Sequence, residues 1–278
     1  MAMTLAVRDE AALAVRNEAE TPAEPPLHRA VMSVMKILQS RGMDPTINGE
    51  EEYEDRPDSI DEYQLQVNRR AWTNSLVLCD LTAYERFTLG RLDAAQHPDR
   101  LRWFVDTLVT VRRHNRAQLQ LPAEQRKKKT PKRLNGIVSG NIGTGKTAAA
   151  IAAGAYGVEQ GLMVRVVSHS RYLSWLRPDS APAGLTPGQI KERYQRCDLL
   201  ILDEACNELD GYASTFVRTE TADLLSARLH TGKGTLLTTN LNSDQIAEVL
   251  GERFASRLGS QASLFDILGE DRRQPIRW

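Results

Sequence analysis

Hydrophobic residues in the first 120 positions recur at the spacing of amphipathic helices. The first run covers residues 27–38, with apolar side chains at i, i+4, i+7, i+8 and i+11, and it stops before Gly42 and Pro45. A second run starts near Glu62, and a third starts at Pro98, a residue favoured in the first turn of a helix. The expected buried faces are Leu65, Trp72, Leu76 and Cys79 in the second run and Leu101, Phe104, Val105, Leu108 and Val111 in the third.

After residue 133 the pattern changes to short apolar runs separated by helical stretches. These runs cover residues 134–139, 163–168, 199–202, 235–239 and 264–268. Strands that alternate with helices in this way form a parallel sheet. The sequence therefore predicts an α/β fold with five parallel strands. It is expected to follow a small helical module at residues 27–82 and a disordered tail at residues 1–26, which is rich in Ala, Glu and Pro.

A glycine-rich loop lies between the first predicted strand and the helix that is expected to begin at Thr147. It matches the Walker A pattern G-x-x-x-x-G-K-[ST] at every fixed position, in the strand-to-helix context that the motif requires. In such a loop, backbone N–H groups hold the phosphates, the lysine neutralises the β and γ charges, and the final hydroxyl ligates magnesium. The predicted ATP- and magnesium-binding residues are Gly140, Asn141, Ile142, Gly143, Thr144, Gly145, Lys146 and Thr147.

Polar residues also follow two other predicted strands. Asp203 and Glu204 come directly after the apolar run 199–202, at the edge where a parallel sheet presents its ligands. Such a pair can also cap a helix, but its position after the glycine-rich loop favours a Walker B site. Asp203 is then predicted to hold magnesium with Thr147, and Glu204 to act as the catalytic base. Asn240, after the fourth strand, is placed to orient the attacking water.

Charge is balanced over the chain but unevenly distributed. The 36 basic residues cancel the 36 acidic ones, yet residues 1–62 carry 14 acidic and 6 basic groups, and residues 112–133 carry nine basic groups and one acidic group. The basic run 126–133 is expected to form a solvated loop in preference to a DNA contact. Cys79, Cys197 and Cys206 lack metal-binding spacing and are expected to be reduced and buried.

Two absences from the sequence narrow the function. There is no N-K-x-D guanine-recognition motif, which argues against a GTPase of the Ras type. No uncharged apolar segment approaches the ~20 residues of a membrane span, and the N-terminus lacks the apolar core of a signal peptide. A cytoplasmic ATP-binding protein is therefore expected.

The motifs together resemble the DnaC/IstB family of AAA+ ATPases. The resemblance covers residues 83–278 and rests on segments 139–153, 198–204, 236–241, 250–258 and 268–273. It implies a P-loop NTPase AAA+ core with strand order 5-1-4-3-2 and no helical lid after the fifth strand. The residue roles that it implies are Asn240 as sensor I, Arg257 as an arginine finger with Arg253 beside it, and Arg272 or Arg273 as a contact to nucleotide or to a neighbouring subunit. An ordinary salt bridge is the alternative role for an isolated surface arginine.

The function implied by this resemblance is that of an ATPase, weak until assembled, that loads a DnaB-like replicative helicase onto single-stranded DNA. ATP and Mg²⁺ are the expected cofactors, and the chain is expected to form homo-oligomers through its arginine finger. The acidic helical module at residues 27–82 favours the loader, with the module binding the helicase. One alternative is an IstB-like transposition helper that binds duplex DNA and recruits a transposase. Another is a non-catalytic adaptor in which ATP only holds a conformation.

Overall fold

A computed structural model of the chain describes residues 57–127, 135–178, 180–182, 184–206, 214–260 and 262–273. The predicted tail, the helix at residues 27–38 and most of the basic run 126–133 lie outside these residues. The helices are α1 (Pro57–Leu78), α2 (Pro98–Leu119), α3 (Lys146–Glu159), α4 (His169–Trp175), α5 (Pro187–Arg196), α6 (Thr215–His230), α7 (Ser243–Leu250) and α8 (Glu252–Ser260). The strands are β1 (Asn135–Ser139), β2 (Val164–Ser168), β3 (Leu199–Asp203), β4 (Gly234–Thr239) and β5 (Ala262–Asp266). Four short 3-10 turns, Thr82–Tyr84, Leu89–Arg91, Ala94–Gln96 and Ala123–Gln125, complete the described elements.

The five strands form one parallel sheet in the order β2-β3-β4-β1-β5, which confirms the predicted order 5-1-4-3-2. The fifth strand begins two residues earlier than predicted, at Ala262. Every residue of β3 is buried, with Leu199 and Ile201 in one hydrophobic cluster and Leu200 and Leu202 in the other. Since helices cover both faces of the sheet, its inner strands are continuously apolar and do not alternate.

Helices α1, α2 and α3 cover one face of the sheet. The predicted apolar face of α2 is confirmed, because all five of its residues are buried. The face predicted for α1 is confirmed in part: Trp72 and Leu76 are buried, whereas Leu65 is only half-buried. Helix α1 lies against β2 and α3 of the same chain. The compact unit that contains the sheet begins at Arg56, so the domain boundary predicted between residues 82 and 83 falls inside it.

A single guanidinium joins elements on the opposite face. Arg228 of α6 is 0% exposed, and its side chain donates to the carbonyls of Tyr194 (2.5 Å), Cys197 (3.1 Å) and Gly234, and to Thr235 Oγ1 (3.0 Å). Helix α6, the end of α5 and the start of β4 are thereby connected through backbone carbonyls. No carboxylate among the described residues pairs with it, so these carbonyls compensate a fully buried charge.

The cysteine prediction is confirmed, because Cys79, Cys197 and Cys206 are all buried free thiols. Burial raises the pKa of the Cys79 thiol and raises that of Cys206 to about 12. Within the described ranges, no helix is long and apolar enough to cross a membrane. Those same ranges contain no group of three or more His, Cys, Asp and Glu side chains that could hold a metal ion by themselves.

Candidate nucleotide site

The glycine-rich loop connects β1 to α3 at the carboxyl edge of the sheet. Gly140, Gly143 and Gly145 have φ values of 145°, 81° and 93°, a region that L side chains rarely adopt. At Gly145 a Cβ atom would also lie 2.6 Å from Gln96 Nε2. Helix α3 begins at Lys146, one residue before the predicted start, so its free N–H groups face the loop.

Lys146 is the cation of this loop. Its side chain is buried, and Nζ donates to Gly140 O (2.9 Å) and Asn141 O (2.7 Å). Burial lowers the pKa of Lys146, and the nearby carboxylate of Asp203 opposes that shift. A cation beside the N-terminus of a helix attracts the phosphates of a nucleotide.

Asp203, at the end of β3, accepts hydrogen bonds from two threonine hydroxyls. Thr147 Oγ1 donates to Asp203 Oδ1 at 3.0 Å, and Thr238 Oγ1 donates to the same atom at 2.6 Å. Burial raises the pKa of Asp203, while the bonds from Thr238 and Thr147 hold it down. A carboxylate beside a hydroxyl offers the oxygen ligands that Mg²⁺ takes in phosphate sites, so this pair fits a magnesium ion.

Glu204 and Asn240 line the same cavity as the loop, at the ends of β3 and β4. Glu204 has a φ of 53°, a left-handed conformation that ends β3 abruptly, and its N–H donates to Thr238 Oγ1 at 2.9 Å. Thr238 therefore contacts both members of the acidic pair, although the sequence analysis missed it. The sequence could have indicated Thr238 as a site residue, because it lies near the end of β4, the strand that pairs with β3.

The cavity has a volume of about 860 Å³, and part of its wall comes from residues 83–96, which none of the motif segments includes. Tyr84, Phe87 and Gln96 belong to the turns before α2, and Gln96 Nε2 donates to Gly145 O at 3.2 Å. Nothing in the local sequence of these three residues marks them as site residues. Their contribution depends on how the turns pack beside the loop.

The predicted residues of the C-terminal segment line this cavity. Arg272 and Arg273 both face it, and the Arg272 N–H donates to Gly143 O at 3.0 Å. The Arg272 guanidinium forms an ion pair with Asp93. Arg253 and Arg257 lie in α8, but their side chains are outside the described part of the chain, so their roles stay predictions.

The donor set suits a nucleoside triphosphate with its metal. Lys146, Arg272 and Arg273 supply positive charge, and the start of α3 supplies N–H groups. Tyr84 and Phe87 supply apolar surface. The volume lies within the range of about 300 to 1,000 Å³ usual for small-molecule sites. Fold and site together define a P-loop protein with the sheet of an AAA+ core.

The family follows from a direct comparison of sequence. Residues 101–273 match the family model described as "IstB-like ATP binding protein". This match covers more than half of the chain, and the chain belongs to that ATP-binding family. No curated protein sequence gives a significant match.

Several solved structures are similar to this chain, and one of them reaches a TM-score of 0.50. The crystal structure of the DnaC helicase loader matches with a TM-score of 0.50 and 18% identity, over 67% of this chain and 99% of that one. A crystal structure of DnaI matches with a TM-score of 0.49 and 17% identity, over 69% and 93%. A DNA replication initiation factor matches with a TM-score of 0.48 and 18% identity, over 66% of this chain and 49% of that one. This chain thus spans only about half the length of that last protein.

Proposed function

We propose that the chain is an ATPase that loads a DnaB-like replicative helicase onto single-stranded DNA. The observation that carries the ATPase part is that Lys146, Thr147 and Glu204 line one cavity and that Asp203 lies in contact with Thr147. These residues come from the loop and from the end of β3, and Thr147 is hydrogen-bonded to Asp203. The loader part rests on the fold shared with the DnaC helicase loader and on the acidic segment before residue 63.

Each site residue has a distinct role in the proposed reaction. Lys146 and the N–H groups at the start of α3 bind the β- and γ-phosphates, and Thr147 and Asp203 hold Mg²⁺. The bound metal neutralises charge on the transferring phosphoryl group. Glu204 takes the proton of the attacking water, and Asn240 orients that water. Arg257 acts in the site of a neighbouring subunit, so turnover rises on assembly.

The second candidate is an IstB-like transposition helper that binds duplex DNA and recruits a transposase. The match to the family model described as IstB-like favours it. Its nucleotide chemistry is the same as that of the loader. The two candidates differ in partner, and only identification of the partner separates them.

Two variants test the ATPase and separate it from the non-catalytic adaptor. Lys146→Ala should abolish ATP binding, measured with a fluorescent ATP analogue. Glu204→Gln should bind ATP at the wild-type affinity. Its rate of ATP hydrolysis should fall by about 10²-fold or more, because the general base is removed. Biological activity that survives Glu204→Gln but not Lys146→Ala would support the adaptor, whereas full activity in both variants would contradict any nucleotide-dependent mechanism.

Capture of the partner tests the loader. Tagged Glu204→Gln protein in ATP is recovered from native, nuclease-treated lysate, and its bound proteins are identified by mass spectrometry. A hexameric replicative helicase supports the loader, and a transposase supports the helper. The control removes residues 1–55, because a longer deletion to residue 80 would remove Trp72 and Leu76 from the core of the ATPase unit. The shorter deletion should keep ATP binding and lose the helicase.

A further inference from the structure

Four arginines meet at the edge of the sheet opposite the nucleotide cavity. Arg112 of α2, Arg165 of β2 and Arg193 and Arg196 of α5 line a cavity of about 470 Å³, here named the basal arginine pocket. The pocket lies where β2 and β3 begin, whereas the Walker residues lie where β1 and β3 end. It is therefore separate from the nucleotide site.

Both carboxylates that line this pocket already form ion pairs, and neither of them pairs with Arg165 or Arg193. Asp198 pairs with Arg112 (2.8 Å) and with Lys233 (2.6 Å), and it also accepts the Met163 N–H at 3.0 Å. Glu192 pairs with Arg196 at 2.8 Å, one turn along α5. Within the described chain, neither Arg165 nor Arg193 has a carboxylate within salt-bridge distance. Two positive charges in the pocket are thus left without a counter-charge.

Arg165 is held in place by its strand. Its neighbours Val164 and Val166 are fully buried in β2, and the arginine itself is half-buried between them. Burial lowers its pKa, and the charge of Arg193 lowers it further. An arginine stem can simply cover apolar surface, and that would account for one such residue. Two guanidinium groups that line one pocket without a carboxylate instead suit an external anion, because each can bind a phosphate in a bidentate way.

Positive charge extends from the pocket along the end of α2. Arg113 and Arg116 follow Arg112 in the helix, and Lys127 is folded back onto it. The Lys127 N–H donates to Gln118 Oε1 at 2.7 Å, and Lys127 O contacts His114 Nε2 at 3.0 Å. Between residues 112 and 127 the sequence has one acidic residue, Glu124. A single small anion would occupy only part of the pocket and would leave this band unused.

We infer that the basal arginine pocket binds the phosphodiester backbone of a nucleic acid, whose further phosphates lie along the end of α2. The choice of nucleic acid rests on the proposed function, since both candidate functions act on DNA. The contact is with the backbone, so the pocket adds affinity and orientation without sequence preference. The expectation of a solvated loop at residues 126–133 falls mostly outside the described residues and stays a prediction.

The test removes the two arginines that lack a counter-charge. Full-length Arg165→Gln/Arg193→Gln protein is compared with wild type by fluorescence anisotropy, using a labelled oligothymidylate and a duplex of the same length across a salt series. The matched control is Arg102→Gln/Arg177→Gln, which removes two exposed arginines away from the pocket. Thermal unfolding checks each fold, and the single Arg193→Gln variant, on the surface of α5, keeps the test valid if Arg165→Gln disturbs β2.

The expected result is weaker binding of at least one probe, with a log–log salt slope that is shallower by about 1 for each arginine removed. The control should bind as wild type does. Unchanged affinity and slope in both pocket variants would overturn the inference. The inference would also be overturned if polyglutamate displaced the probe as effectively as unlabelled DNA does. Complete displacement of the probe by inorganic phosphate alone would overturn it too. ATP affinity is measured in parallel, so a failure of the nucleotide site appears separately from a failure of the pocket.

Discussion

At the scale of single residues, the buried carboxylate of Asp203 is expected to lower the stability of the fold. Burial raises its folded-state pKa above the ordinary value of about 3.9, so the ionised carboxylate destabilises the fold at neutral pH. The loss of folding free energy is greatest at pH values well above the folded-state pKa. It disappears as the pH falls below the pKa of the unfolded state. Asp203→Asn keeps the shape and removes the charge, and we expect a higher urea midpoint at pH 7 without nucleotide or magnesium, together with loss of ATP hydrolysis.

The pH dependence distinguishes this effect from a general change in packing. The gain in urea midpoint should narrow as the pH is lowered toward 4, because the wild-type carboxyl then becomes protonated. Asp223→Asn is the control, since that aspartate is exposed on α6. It should leave the midpoint unchanged at both pH values. A lower midpoint for Asp203→Asn at pH 7 would show that the bonds from Thr147 and Thr238 outweigh the burial.

Arg228 shows the opposite balance, because its charge is buried and fully bonded. Replacement by Met removes the donor for four backbone carbonyls and one hydroxyl that join α6, α5 and β4. We expect Arg228→Met to lower the free energy of unfolding by about 3 to 5 kcal/mol, measured by urea denaturation. Arg228→Lys, which keeps a charge and some donors, should cost less. A loss below that of the exposed Arg102→Met control would contradict this role.

At the scale of elements, a glycine decides how closely α1 approaches α3. A Cβ at Gly154 would lie 2.5 Å from Ile201 Cδ1 and 2.7 Å from Trp72 Cη2, so two neighbours would have to move. We expect Gly154→Ala to destabilise the chain by about 1 to 3 kcal/mol through overpacking, although alanine favours a helix. Gly90→Ala is the control, because a Cβ there meets nothing within 4 Å. Equal urea midpoints for the two variants would refute the packing argument.

At the scale of the whole molecule, the proposed arginine finger requires two subunits for each active site. Arg257→Ala should keep ATP binding by the monomer and lose assembly-stimulated hydrolysis, by about 10³- to 10⁵-fold if it resembles fingers in GTPases. Glu204→Gln fails in its own site but still donates its arginine. Mixing the two inactive variants should therefore restore part of the ATPase rate. A mixture as inactive as each variant alone would assign Arg257 to another role.

Much of this organisation could be predicted before the tertiary structure. The Walker A loop, the acidic pair after β3 and the alternation of strands and helices are local patterns, because phosphate binding and strand burial each require particular residue types at fixed spacing. The sheet order came from the family resemblance and is confirmed. The position of the fifth strand was displaced by two residues, since Ala262 and Ser263 lack a strongly apolar pattern.

The sequence by itself therefore determined the nucleotide loop, the fold class and the predicted catalytic pair, because those depend on neighbours in the chain. Only the tertiary structure revealed that α1 packs within the compact unit that contains the sheet and that Thr238 contacts both acidic residues. It also brought Tyr84, Phe87 and Gln96 to the nucleotide cavity and gathered four distant arginines at the opposite edge. These arrangements join residues far apart in sequence, and packing of helices against the sheet, which no local pattern records, decides which of them meet.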